Sequence, residues 1–176
     1  MIARLAILGI VVTALVAGAL MYYLQVYAYY NEVAAEQVGG VQLVGLSSGV
    51  AEPILFENYK GIDSDSSPIR YRACFDVPQS LAMLTETYVM YPQAEPLVAP
   101  GWFDCFDAAA LGAALESGQA LAFLSVPNVH YGIDRVVAVM PDGRGYSWHQ
   151  INACGAVVFN GEPAPEGCPP VPESLR

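Results

Sequence analysis

Cys105 stands in the run GWFDCFD, just ahead of a stretch of strong helix formers. A thiol at a helix start is where the aligned backbone dipoles favour a thiolate, the nucleophilic form of cysteine. Such a nucleophile needs a base. The histidines are His130, in PNVHYG, and His149, in YSWHQI, and no spacing in the chain brings either of them to Cys105. A competing use of the sulfur is structural: Cys74, Cys105, Cys154 and Cys168 make an even count, which in an oxidising compartment reads as two disulfides. Three connectivities are open. The run CGAVVFNGEPAPEGC reads as a strand, a turn and a Pro-rich return that brings Cys154 to Cys168, which leaves Cys74 for Cys105. No pair has the C-x-x-C spacing of a redox motif or a zinc knuckle.

Metal chemistry has weaker support. Asp63-Ser64-Asp65-Ser66-Ser67 resembles the opening of a calcium loop, but Pro68 stands where the turning glycine belongs and Cys74 where the bidentate glutamate belongs, so the stretch reads as a polar loop. Met83, Met90 and Met140 are too dispersed for a copper cluster and read as core filling. No catalytic residue, metal or cofactor is expected.

The elements that must position these residues begin with a span. Leu5 to Leu24 is twenty residues without a charge, roughly 30 Å as a helix, the thickness of a bilayer's hydrocarbon core. Tyr22, Tyr23, Tyr27, Tyr29 and Tyr30 follow at the depth of the headgroups, where an apolar ring with a wet hydroxyl is at home. At ~100° per residue Tyr23, Tyr27 and Tyr30 share one face, and a one-sided band suggests a neighbour on the other. Gly9, Thr13 and Ala17 form a line of small residues suited to close packing against another transmembrane protein or a second copy of the chain. Arg4 precedes the span and the next basic residue is Lys60, which sets the amino terminus inside and the rest outside. The rival reading is a cleaved signal peptide with Ala17-Gly18-Ala19 as its site, but the apolar run continues past it.

Beyond the span, 17 acidic residues face six basic ones, a surplus of eleven negative charges that disfavours nucleic acid or an anionic membrane surface as a partner; no nucleic acid is expected. The expected organisation is an anchor over 1–30, a short connector over 31–40, one domain over 41–160 and a Pro-rich tail over 161–176. Apolar runs predict strands at 41–46, 53–58, 69–76, 119–126, 133–140, 145–151 and 156–160. Leu81, Leu84 and Tyr88 predict one helix, with a Pro in its first turn, and AAALGAALES predicts another, capped by Asp104 or Asp107 and stopped at Gly118. On an alternating strand Trp148 and His149 point oppositely, one expected exposed and the other packed. The fold class is α+β: a mostly antiparallel sheet packed on one or two helices, with two disulfides.

The runs MYYLQVYAYY, SPIRYRACF, GWFDCFD and SWHQIN together resemble an uncharacterised family of small single-span membrane-anchored proteins from Rhodobacter-like alphaproteobacteria. The likeness covers nearly the whole chain and brings no functional residues with it. It supports a bacterial source, for which the span and its flanking charges place the protein in the inner membrane with a periplasmic domain. The expected function is an accessory or interaction module of a membrane complex; the alternative is a periplasmic thiol-dependent enzyme or small-ligand-binding domain using Cys105 and a histidine.

Overall fold

A computed structural model describes residues 2–175. Helix α1, Ile2–Tyr23, runs on through a π-helical turn, Leu24–Ala28. This helix is long and apolar enough to cross a membrane, with a mean hydropathy of 2.4 in its most apolar window and none of that window buried in the protein. Those properties fit an anchor and a signal sequence alike. Thr13 keeps its hydroxyl within the helix, donating to Gly9 O at 2.8 Å, so the small-residue line stays smooth.

Two residues after the helix the chain is already in the sheet. Strand β1, Asn31–Glu32, pairs with β4, Glu57–Asp63, and the Val33 amide donates to Gly61 O at 2.9 Å. The stretch 31–40, read as a connector, thus contains a sheet edge and a 3-10 turn over Ala35–Val38, with Ala35 buried. A separate hairpin follows, β2 (Gln42–Val44) with β3 (Ala51–Pro53). The strand expected at 53–58 is divided between β3 and β4. Pro53 lacks the amide to continue a ladder, and Asn58 takes a left-handed φ of 52° where β4 bulges against β5, Arg72–Asp76.

Helix α2, Leu81–Thr87, starts at Ser80, whose hydroxyl accepts from the Met83 amide at 3.3 Å; the cap is this serine and not a proline of the first turn. Helix α3, Ala108–Glu116, is capped by Asp107, which accepts from the Ala109 and Ala110 amides, and ends before Gly118 at φ 72°. Strands β6 (Leu121–His130), β7 (Ile133–Val139) and β8 (Arg144–Ile151) form a meander, and the sheet order is β1-β4-β5-β8-β7-β6, antiparallel throughout. With two disulfides, the fold is α+β.

The last expected strand is a helix, α4 (Ala153–Val158). Asn152 caps it by accepting from the Gly155 amide at 3.0 Å, and a short apolar run such as AVVFN carries no periodicity to separate helix from strand. Gly155 also lies against Gly132, which turns the β6–β7 hairpin at φ 74°; a Cβ on either would overlap the other's backbone. Both glycines are therefore required for α4 to lie on the hairpin.

Both faces of the sheet are covered. On one, Tyr71, Ala73, Phe75, Phe123, Val137 and Val139 pack with Leu43, Leu84 and Tyr88. On the other, Cys74, Val136, Ala138, Tyr146 and Trp148 pack with Phe103, Phe106, Leu111 and Ala114. The two layers explain why Trp148 and His149, which do point oppositely, are both buried, against the expectation that one would be exposed. Met83 and Met90, read as core, are partly exposed.

Candidate functional site

Where the apolar helix meets the domain, the chain has built a joint. A helix end leaves carbonyls without partners, and here the Trp102 indole N–H, from the loop before α3, donates to Val26 O at 2.6 Å. The Trp102 ring stacks on Tyr27 (centroids 6.2 Å apart) and lies nearly perpendicular to Tyr30 (6.1 Å). Tyr23 stacks on Tyr27 in turn, with Tyr22 against Tyr27 edge-on. The face shared by Tyr23, Tyr27 and Tyr30 is thus directed at the protein's own tryptophan, while Tyr22, Tyr23 and Tyr29 remain largely exposed. Tyr30 packs on the core layer beneath α3, and the Arg70 guanidinium lies 5.4 Å from its ring centre.

A second polar group is buried on the opposite layer. Arg135 lies over the Tyr71 ring at 4.6 Å and donates from Nη1 to Val38 O (2.7 Å) and from Nε to His149 Nε2 (3.2 Å). Because His149 Nδ1 faces Pro68 O at 2.7 Å, the ring holds its proton on Nδ1 and accepts at Nε2. Burial first, and the Arg135 charge second, hold His149 down to about 3. The unfolded chain therefore takes up a proton below about pH 6.5 that the native fold refuses, so stability falls as pH drops from there toward 3. Thermal unfolding of wild type and His149→Asn across pH 3.5–7.5 should show a shallower acid loss in the variant; parallel curves would contradict the neutral histidine. Tyr59 donates to or accepts from Tyr71 at 3.0 Å, and both phenols are raised, chiefly by burial.

A concavity of about 490 Å³ opens beside the β6–β7 hairpin, with Asp134 in its lining. Asp134 accepts from the Asn128 amide (2.9 Å) and Asn152 Nδ2 (2.8 Å) on one oxygen and from the Tyr91 hydroxyl (3.2 Å) on the other. Burial, then the Asp134 charge, raises the Tyr91 phenol. With both oxygens engaged, the carboxylate serves to hold hairpin, loop and α4 together.

Cys105 is bonded to Cys74 and Cys154 to Cys168, with Cα–Cα distances of 6.3 and 5.8 Å; no described cysteine is free. Cys74 shares the layer of Trp148, whereas His149 faces Tyr71, so the sheet stands between Cys105 and that histidine. His130 ends β6 at an exposed edge. Asp63 ends β4 and Asp65 lies in the turn that follows, where Ser64 N donates to Asp63 Oδ1 (2.8 Å) and the Ser64 and Ser66 hydroxyls bond each other. Burial raises the Asp63 carboxyl. Among the described residues no three His, Cys, Asp or Glu side chains converge as a metal site.

A protein-family model described as a family of unknown function, DUF6446, matches residues 41–169. The chain belongs to that family. No curated protein and no solved structure matches it. The DUF6446 match takes in Arg70, Trp102, all four cysteines and the Asp134 cleft, and begins after α1 and β1. In this DUF6446 member the joint is therefore made between the matched domain and the segment preceding it. Sequence reading missed Trp102, Arg70 and the Asp134 cleft, since none carries a motif; the one signal was an aromatic residue, Trp102, in a loop with no periodicity to bury it.

Proposed function

We propose that the protein is a membrane-anchored module, its disulfide-bonded domain held against the outer surface of a bacterial inner membrane, serving as an accessory or interaction part of a membrane complex. The observation that carries this reading is the joint at Trp102: a helix destined for removal has no use for a carbonyl capped by the mature domain. Two disulfides favour an oxidising compartment, and the basic residue ahead of the span favours an inside amino terminus. The exposed line of Gly9, Thr13 and Ala17 offers a packing surface for a second transmembrane helix, from another protein or another copy.

Two measurements test it. Intact mass of the membrane fraction should show an uncleaved chain that resists alkaline wash; a chain starting at Leu20 and released by that wash would refute the anchor. Gly9→Leu with Ala17→Leu keeps the span apolar while widening the packing line, and should abolish detergent co-purification of the partner at matched membrane levels. Unchanged recovery would place any interaction in the folded domain instead.

A further inference from the structure

Most basic side chains beyond α1 are accounted for. Arg72 and Arg135 are buried on backbone carbonyls, Arg144 pairs with Asp142 at 2.8 Å, and Lys60 stands exposed on β4. Arg70 differs. Among the described residues no carboxylate lies within ion-pair distance of its guanidinium and no acceptor takes a hydrogen bond from it; its charge meets only the Tyr30 ring. It borders a basin of about 710 Å³ together with Gln25, Val26, Tyr29, Tyr30 and Ser66.

The depth of this basin gives it meaning. From Ala3 to Gln25 the helix rises roughly 33 Å, so a span crossing the hydrocarbon core delivers Gln25 and Tyr29 to the layer of glycerol and phosphate. We propose that the basin holds the phosphodiester of one membrane phospholipid. Arg70 presents its forked donors to the phosphate oxygens, a geometry that guanidinium matches in two bonds. Ser66 adds a second polar group: its amide donates to Ser64 Oγ, and the Ser64 and Ser66 hydroxyls share one hydrogen bond at 2.8 Å at the rim of the basin. The Gln25 amide is a third. A surplus of negative charge keeps the rest of the domain, Asp65 included, from binding anionic lipid as a surface, so recognition is confined to one phosphate and does not require a charged headgroup. The lipid would complete the joint where the Arg70 guanidinium meets the Tyr30 ring.

This inference rests on the anchor reading, and the experiment separates the two. Full-length protein in detergent is titrated with phosphatidylethanolamine and, separately, phosphatidylglycerol, and retained lipid is counted by native mass spectrometry. Wild type should hold one molecule of either. Arg70→Gln should weaken that binding roughly tenfold, the worth of one charge-assisted contact, with Arg70→Lys intermediate and Lys60→Gln unchanged. Ser66→Ala, which leaves every charge in place, should weaken it less, and unfolding midpoints equal to wild type confirm folded variants. Equal retention by wild type and Arg70→Gln would overturn the proposal. So would competition by glycerophosphoethanolamine at the same concentration as the lipid, which would make the ligand a soluble phosphate ester. Release of wild type from membranes by alkaline wash would instead overturn the anchor and this site with it.

Discussion

Arg72→Met is expected to lower the unfolding free energy by about 4 kcal/mol and to loosen the Pro-rich loop over 92–100. Arg72 lies on β5 with 4% of its surface exposed, and among the described residues no carboxylate lies within ion-pair distance of it. Its donors go to backbone: Nε to Leu97 O (2.8 Å), Nη1 to Ile69 O (2.8 Å) and Tyr71 O (2.6 Å), Nη2 to Val98 O (3.2 Å). Burial lowers its pKa to about 10, which still leaves it charged at neutral pH. Methionine matches its bulk and donates nothing, so four carbonyls lose a partner at about 1 kcal/mol each, the typical net worth of a hydrogen bond. Lysine should not restore stability, because a single ammonium cannot reach two chain segments as the planar fork does. Denaturant unfolding and limited proteolysis within 92–100 measure both effects. A midpoint shift worth under 1 kcal/mol would show that water replaces the guanidinium without cost.

Paired serine substitution of Cys74 and Cys105 should cost about 4 kcal/mol, and of Cys154 and Cys168 about 3 kcal/mol, from the chain entropy that loops of these lengths release when opened. The sequence separations are 31 and 14 residues, so the longer loop gives the larger effect. The two bridges also differ in what they join: the first ties β5 to the loop carrying Trp102, the second ties α4 to the C-terminal tail. Thermal unfolding of the full chain under non-reducing conditions ranks them. Loss of the shorter loop outweighing loss of the longer would contradict the entropic account and point to packing of α4 instead.

How much of this was legible beforehand depended on whether a signal was local. The α3 helix could be read because Asp107, the alanine run and Gly118 all lie within twelve residues. The meander β6–β8 was legible from its apolar runs and the PDGRG turn. Residues 31–40 were not, since a two-residue strand has no period, and what places it in the sheet is β4 some thirty residues later. AVVFN failed because its helical state is decided by the Asn152 cap and the Gly132–Gly155 approach, which joins separate parts of the chain. Trp148 and His149 were read as one-in, one-out because a single strand shows its alternation and not whether a second layer covers it. Arg72 and Arg135 give no sign in sequence of being buried, because their partners are carbonyls, which every residue carries. The joint was not legible either: the tyrosines read as a band at the lipid boundary, and Trp102, which stacks on Tyr27, lies some seventy residues further along the chain.

Tyr29 and Tyr30 are the whole distance between the helix and the sheet. A long flexible tether would let a domain tumble and search a hemisphere of space; two residues, with Trp102 and β1 both engaged, let it do neither. Rotation of the helix about its axis is then rotation of the domain, and tilt of the helix is tilt of the sheet. For the anchor proposed above, the phase of the helix would work as a dial: a neighbour that fixed it would also choose which wall of the domain it sees.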